Sequence, residues 1–141
     1  MSAFRFRIQI STRFRDCDMF GHVNNAVYLT YMEEARWAYW RHLTGDFPHT
    51  RLPGLILARV ECDFIRPVHA AERLDVWTGT TSLGRTSMKM DCEIMNERGE
   101  VVARGQSVVV AYDYGEAKPI PIPDWCRTRI EEYEGRQLSR T

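Results

Sequence analysis

The 141-residue sequence lacks any apolar run close to the roughly 20 residues that span a bilayer. Its longest such runs are LILA at Leu55 to Ala58 and VVVAY at Val108 to Tyr112, so no integral membrane segment is expected. It also lacks net charge. Nineteen Lys and Arg balance 19 Asp and Glu, so no general field draws in nucleic acid, and an anionic ligand must be met by a local cluster of cations. The opening MSAFRFRIQI interleaves arginine with apolar residues and has no continuous hydrophobic stretch of an export signal. A cytoplasmic location is therefore expected. The four cysteines, Cys17, Cys62, Cys92 and Cys126, form no C-x-x-C pair, and no histidines stand at metal-ligand spacing. Neither zinc nor a disulfide frame is expected, and free thiols suit a reducing compartment. There is no G-x-S-x-G elbow, because Gly105 to Val109 reads GQSVV, and a serine triad of the α/β-hydrolase kind is excluded with it. No glycine-rich phosphate loop or dinucleotide fingerprint occurs, so no cofactor is expected.

What is present is enough for a core: 44% of residues are hydrophobic and 27% charged, which suits one compact domain over residues 1–141. Phe4, Phe6, Ile8 and Ile10 alternate with Arg5, Arg7, Gln9 and Ser11, the period of a half-buried strand running to about Phe14. Ala26 to Leu43 contains no Gly or Pro and is dense in aromatic and apolar side chains, with its polarity gathered near Thr30, Glu33, Glu34 and Arg41. It predicts a helix buried on most of its circumference. TGDFPHTRLPG, Thr44 to Gly54, ends that helix in a loop. Strands are expected over Leu55 to Arg66, around Leu74, Val76 and Thr78, over Met88 to Met95, and, after a hairpin turn at Asn96 to Gly99, over Val101 to Asp113. One helix followed by strands on short connections describes an α+β chain with a curved antiparallel sheet on a central helix. The last strand is long and apolar and reads as an open edge, which a second copy could cover by extending the sheet or which the tail PDWCRTRIEEYEG could cover by folding back.

One short loop concentrates the reactive groups: DCDMFGHVNN, Asp16 to Asn25. It places Asp18 shortly before a helix that starts near Asn24 or Asn25, so free backbone N–H groups and the positive end of the helix dipole lie near a carboxylate. Such donors can hold an oxyanion while the carboxylate attacks or deprotonates water. The plainer alternative is that Asp16 or Asp18 caps the loop and Asn24 or Asn25 caps the helix. A Cys17 thiolate paired with His22 is disfavoured by the flanking acids. His22 sits where it can brace the turn or orient a substrate.

RFRDCDMFGHVNNAVYLTYMEEAR, Arg13 to Arg36, resembles the 4-hydroxybenzoyl-CoA thioesterase branch of the hotdog-fold thioesterases. DFIRPVHAAERLDVWT (Asp63 to Thr78) and ARGQSVVVAYDYGEAKPIPIP (Ala103 to Pro123) resemble two further segments of that family, with Ala71 and Glu72 where its turn often reads Gly-Asp. The resemblance implies a hotdog fold of about five strands around one long helix, and hydrolysis of a fatty or aromatic acyl-CoA. It implies that Asp18 is the catalytic acid, that the Asn25 backbone N–H polarises the thioester carbonyl, and that Tyr28 lines the pocket. It also implies a homodimer or homotetramer whose second subunit completes the site. Zero net charge leaves the CoA phosphates to local cations, for which Arg66, Arg85 and Lys89 are the candidates beside His22 as a substrate contact. Chain-length preference is expected to depend on Phe20, Tyr31 and Met32. Two rivals remain: a non-catalytic acyl-CoA sensor or binding module using the same pocket, which has no need of Asp18, and an enzyme hydrating or dehydrating acyl thioesters on the same fold, which needs an acid and a histidine paired on the helix, a pair this sequence does not offer.

Overall fold

A computed structural model of the chain describes residues 3–45 and 53–139. Its elements are β1 (Phe6–Ser11), a 3-10 turn (Phe14–Asp16), α1 (Asn25–Thr44), β2 (Gly54–Phe64), β3 (Arg73–Leu83), β4 (Ser87–Met95), β5 (Val101–Asp113), the two-residue β6 (Lys118–Pro119) and α2 (Asp124–Glu134). The first strand is thus shorter than its alternation suggests, because residues 14–16 turn away from the sheet. Residues 46–52 of the expected loop lie outside the described residues.

One antiparallel sheet runs in the order β1-β3-β4-β5-β2, with β6 added beside the end of β5. This is the hotdog arrangement, six strands rather than about five. Alternation along β4 shows how the sequence builds it: Met88, Met90, Cys92 and Ile94 are buried under the helix while Lys89 is exposed on the other face. The hairpin into β5 is set by Asn96, whose Oδ1 accepts from the N–H groups of Arg98 and Glu100, each at 3.0 Å. Gly99 completes it at φ +78°.

The last strand is not an edge. β5 lies between β4 and β2, and the open edges are β1 and β2. The tail does fold back, but over β3: β1 pairs only with Arg73 to Thr78, and the N–H groups beyond need other partners. Thr80 N–H donates to the Glu134 carboxylate at 3.1 Å, and Leu83 N–H donates to the Leu138 carbonyl at 3.1 Å. That tail is a second helix, α2, with Cys126 and Ile130 fully buried.

The core has two halves along α1. Tyr28, Tyr31, Met32 and Ala35 pack on Leu74, Val76, Cys92 and Ile94. Tyr39, Trp40 and Leu43 pack on Leu83, Met88 and Val109 and are closed off by α2. A Cβ at Gly105 would collide with the Met32 side chain, so the absence of one lets α1 lie close on β5. The helix is less enclosed than its composition suggests. Thr30, Glu33, Glu34, Trp37 and Arg41 form an open stripe, with Trp37 51% exposed.

Candidate active site

Between β1 and α1 the chain makes a narrow ribbon. Asn24 N–H donates to the Asp16 carbonyl at 2.9 Å, Cys17 pairs with Val23, and Asp18 N–H donates to the His22 carbonyl at 2.9 Å. Gly21, at φ +81°, closes the tip. A further bond holds the ribbon to the connection between β2 and β3: Val23 N–H donates to the Val68 carbonyl at 2.7 Å. Thr12 holds the neighbouring turn before β3. Its hydroxyl donates to the His69 carbonyl at 2.6 Å and accepts from Glu72 N–H at 2.9 Å.

The two acids of the ribbon differ sharply. Asp16 is 4% exposed and accepts three hydrogen bonds: from Arg13 N–H (3.0 Å), the Arg13 guanidinium (3.2 Å) and the Tyr31 hydroxyl (2.8 Å). Burial alone would raise its pKa, but these donors outweigh it and hold the carboxyl below the ordinary aspartate value. Asp18 is exposed. Its Oδ1 accepts from Phe20 N–H at 2.9 Å, an Asx turn, and Oδ2 has no partner among the described residues.

Asn24 is the helix N-cap, its side chain accepting from Ala26 N–H at 2.9 Å. Asn25 is the first helical residue, and its N–H has no hydrogen-bond partner among the described residues. An open donor at the positive end of a 20-residue helix and a carboxylate with a free oxygen therefore stand on the two sides of one ribbon.

The other expected site residues fall in three places. His22 is exposed and stacks edge-on against His69, ring centroids 4.9 Å apart, bracing the ribbon against the turn before β3. Tyr28 is buried and meets the Phe64 ring at 5.2 Å, and burial pushes its hydroxyl up to about 12. Tyr31 and Met32, expected to set pocket depth, lie inside the core, whereas Phe20 is 79% exposed. Arg66 is at the ribbon end of the sheet, 3.8 Å from Glu100, beside an open polar cleft that includes His69 and Arg73. Arg85 and Lys89 are exposed at the opposite end, about 30 Å along β3 by its rise per residue. Within the chain they do not converge with Asp18.

The thiols offer no rival nucleophile in the core: burial pushes Cys92 and Cys126 each up to about 12 and raises Cys62. Among the described residues no group of histidines, cysteines and acids is placed to hold a metal ion, and no helix is long and apolar enough to cross a membrane.

Three features carried no clear signal in the sequence. The buried role of Asp16 is hidden because its partner Tyr31 is fifteen residues away. Arg36 is half-buried with Ser107 Oγ as its hydrogen-bond partner at 3.1 Å. Beside it a cavity of about 120 Å³ opens between α1 and the sheet, lined by Trp37, Trp40, Leu55, Leu57 and Val109. Only the greasy composition of α1 and β2 hints at that space.

Known proteins share this architecture. A thioesterase from Thermus thermophilus, solved with coenzyme A and zinc, is 38% identical, covers 98% of this chain and 100% of its own, and superposes with a TM-score of 0.86. Slr0204 of Synechocystis, a 1,4-dihydroxy-2-naphthoyl-CoA thioesterase, is 25% identical over 89% of this chain and 94% of its own, with a TM-score of 0.77. The long-chain acyl-CoA thioesterase FadM of Escherichia coli is 24% identical over 88% of this chain and 96% of its own. The thioesterase-like superfamily matches residues 12–130. The chain belongs to that superfamily and is a thioester hydrolase.

Proposed function

We propose that the protein is a cytoplasmic acyl-CoA thioesterase in which Asp18 supplies the base or nucleophile and the Asn25 N–H the oxyanion donor. The observation that carries this reading is the unpartnered Asn25 N–H at the start of α1 beside a ribbon that bears the free Asp18 oxygen. Asp18 follows by two residues Asp16, the last residue of the 3-10 turn, whose carboxylate meets Tyr31 of α1.

A thioester carbonyl placed against Asn25 N–H gains a donor where negative charge develops, at a dipole terminus that favours that charge. The ionised Asp18 then attacks the carbonyl carbon to give a mixed anhydride that water opens, or takes a proton from an attacking water. Either route breaks the C–S bond and releases CoA thiol and free acid. The CoA in the Thermus relative and the acyl-CoA names of FadM and Slr0204 support the substrate class.

The open edge of β2 supports a homodimer. Leu57, Phe64 and Ile65 are exposed along it, with Trp37 beside them, and an unpaired edge that bears exposed apolar side chains is a docking surface for a second copy. A two-fold axis at this edge pairs β2 with its mate antiparallel and so brings the ribbon end of one protomer beside the far end of the other. Arg85 and Lys89 would then serve the CoA phosphates of the partner's site.

Asp18→Asn tests the assignment. Its turnover of acyl-CoAs, followed by trapping of released thiol, should fall by about 10² to 10⁴. Wild-type turnover in that variant would remove Asp18 from the reaction, and binding without turnover in the native protein would identify a sensor.

A further inference from the structure

The ribbon that carries Asp18 has to hold its shape although its tip, Asp18 to His22, is exposed. Its tip bonds are local: the Asx turn at Phe20, the Gly21 N–H to the Asp18 carbonyl at 3.0 Å, and the Asp18 N–H to the His22 carbonyl. None of these ties it to α1. The tie is made one step back, at Asp16. Its carboxylate Oδ2 accepts from Tyr31 on the second turn of α1, at 2.8 Å, while its carbonyl accepts from Asn24 N–H at 2.9 Å. One residue therefore holds the ribbon to both the side and the start of the helix. Tyr31, 2% exposed, is locked by packing between Tyr28 and the sheet core, so its hydroxyl is a fixed point.

We propose that the Asp16–Tyr31 pair is the strut that positions the Asp18 carboxylate against the Asn25 N–H, making Tyr31 and Asp16 positioning residues for hydrolysis although neither touches substrate. This rests on the assignment of Asp18 above. Asp16 holds its own ribbon strand two residues before Asp18, so a shift at Asp16 displaces the Asp18 side chain along the same ribbon. A misplacement of about 1 Å in a reacting group can cost on the order of 10² in rate. Losing one of three donors at Asp16 leaves its charge still paired with Arg13, so the change is one of aim rather than of folding.

Tyr31→Phe keeps the buried ring and deletes the strut. Its turnover should fall about 10- to 100-fold, with the Michaelis constant within about twofold of wild type because the CoA contacts are untouched. Asp16→Asn should follow in the same direction, and its far-ultraviolet dichroism reports whether it folds. The decisive readout is a double-mutant cycle. A strut that acts only through Asp18 has nothing left to aim in Asp18→Asn, so Tyr31→Phe should not lower that variant's residual rate further. Full turnover in Tyr31→Phe, or an equal loss from Tyr31→Phe in both backgrounds, would overturn the strut while leaving Asp18 in place. Wild-type turnover in Asp18→Asn would instead overturn the assignment on which the strut depends.

Discussion

Ala71 sits at φ +63°, in the left-handed region where a Cβ meets the backbone carbonyl at a cost of roughly 1–2 kcal/mol. The turn is kept there because Ala71 N–H donates to the Thr12 carbonyl at 3.0 Å and Thr12 N–H to the Glu72 carbonyl at 2.8 Å. Ala71→Gly should relieve that strain, and the added entropy of the unfolded chain returns about 0.4–1 kcal/mol of the gain. A rise of a few degrees in melting temperature is expected by calorimetry, with activity unchanged. Asp16 gives a second prediction at this scale. Its folded pKa lies below the unfolded value, so its ionised form stabilises the protein above the ordinary aspartate range, and this stabilisation is lost as pH falls through the depressed folded pKa. The stability gap between wild type and Asp16→Asn should therefore be full at pH 7 and shrink progressively below about pH 4 in denaturant titrations. The pair of acids is visible in the sequence. Which one is buried is not, because the distinction rests on a hydrogen bond to Tyr31, fifteen residues on in the chain.

The elements themselves are largely legible, since period two and the absence of Gly and Pro are local properties that burial on one side enforces. The alternation from Met88 to Ile94 and the helix from Ala26 to Leu43 match β4 and α1 to within a residue or so. Strand order is another matter. The apolar run of β5 reads as an edge because nothing local distinguishes a strand with one neighbour from a strand with two. β5 is apolar because it is central, paired with β2 from Ala103 to Tyr112 and with β4 from Val101 to Val110. Of the two edge strands, β2 carries exposed charge at Arg59, Glu61 and Asp63 beside exposed Leu57 and Phe64, and its register against β5 slips between Leu57 and Arg59. The helix α2 reads only as a tail, because Asp124 to Glu134 is strongly charged. Its burial rests on Cys126 and Ile130, while Glu134 accepts from the Tyr39 hydroxyl at 2.7 Å and from Thr80 N–H.

At the scale of the whole molecule the proposed site residues lie apart. The Asp18 ribbon and Arg85 occupy opposite ends of β3, and the proposed two-fold copy joined along β2 would bring such ends together. Each site of that dimer would take Asp18 from one chain and Arg85 from the other, which makes the arrangement testable by mixing. Asp18→Asn removes the base from every site, and Arg85→Ala weakens phosphate binding in every site, so each homodimer is impaired at low substrate concentration. A heterodimer of the two variants holds one site with both defects and one with neither. Random exchange of subunits places half the molecules in such heterodimers, so the mixture should recover about a quarter of wild-type kcat/KM. Analytical ultracentrifugation checks for the dimer, and refolding the mixed variants from denaturant ensures exchange. Activity equal to the mean of the two separate variants would show that Asp18 and Arg85 do not meet across the interface. Ile65→Asp supplies the companion result: charge at the exposed edge should yield a folded monomer by sedimentation, in which turnover is lost because no chain carries a complete site.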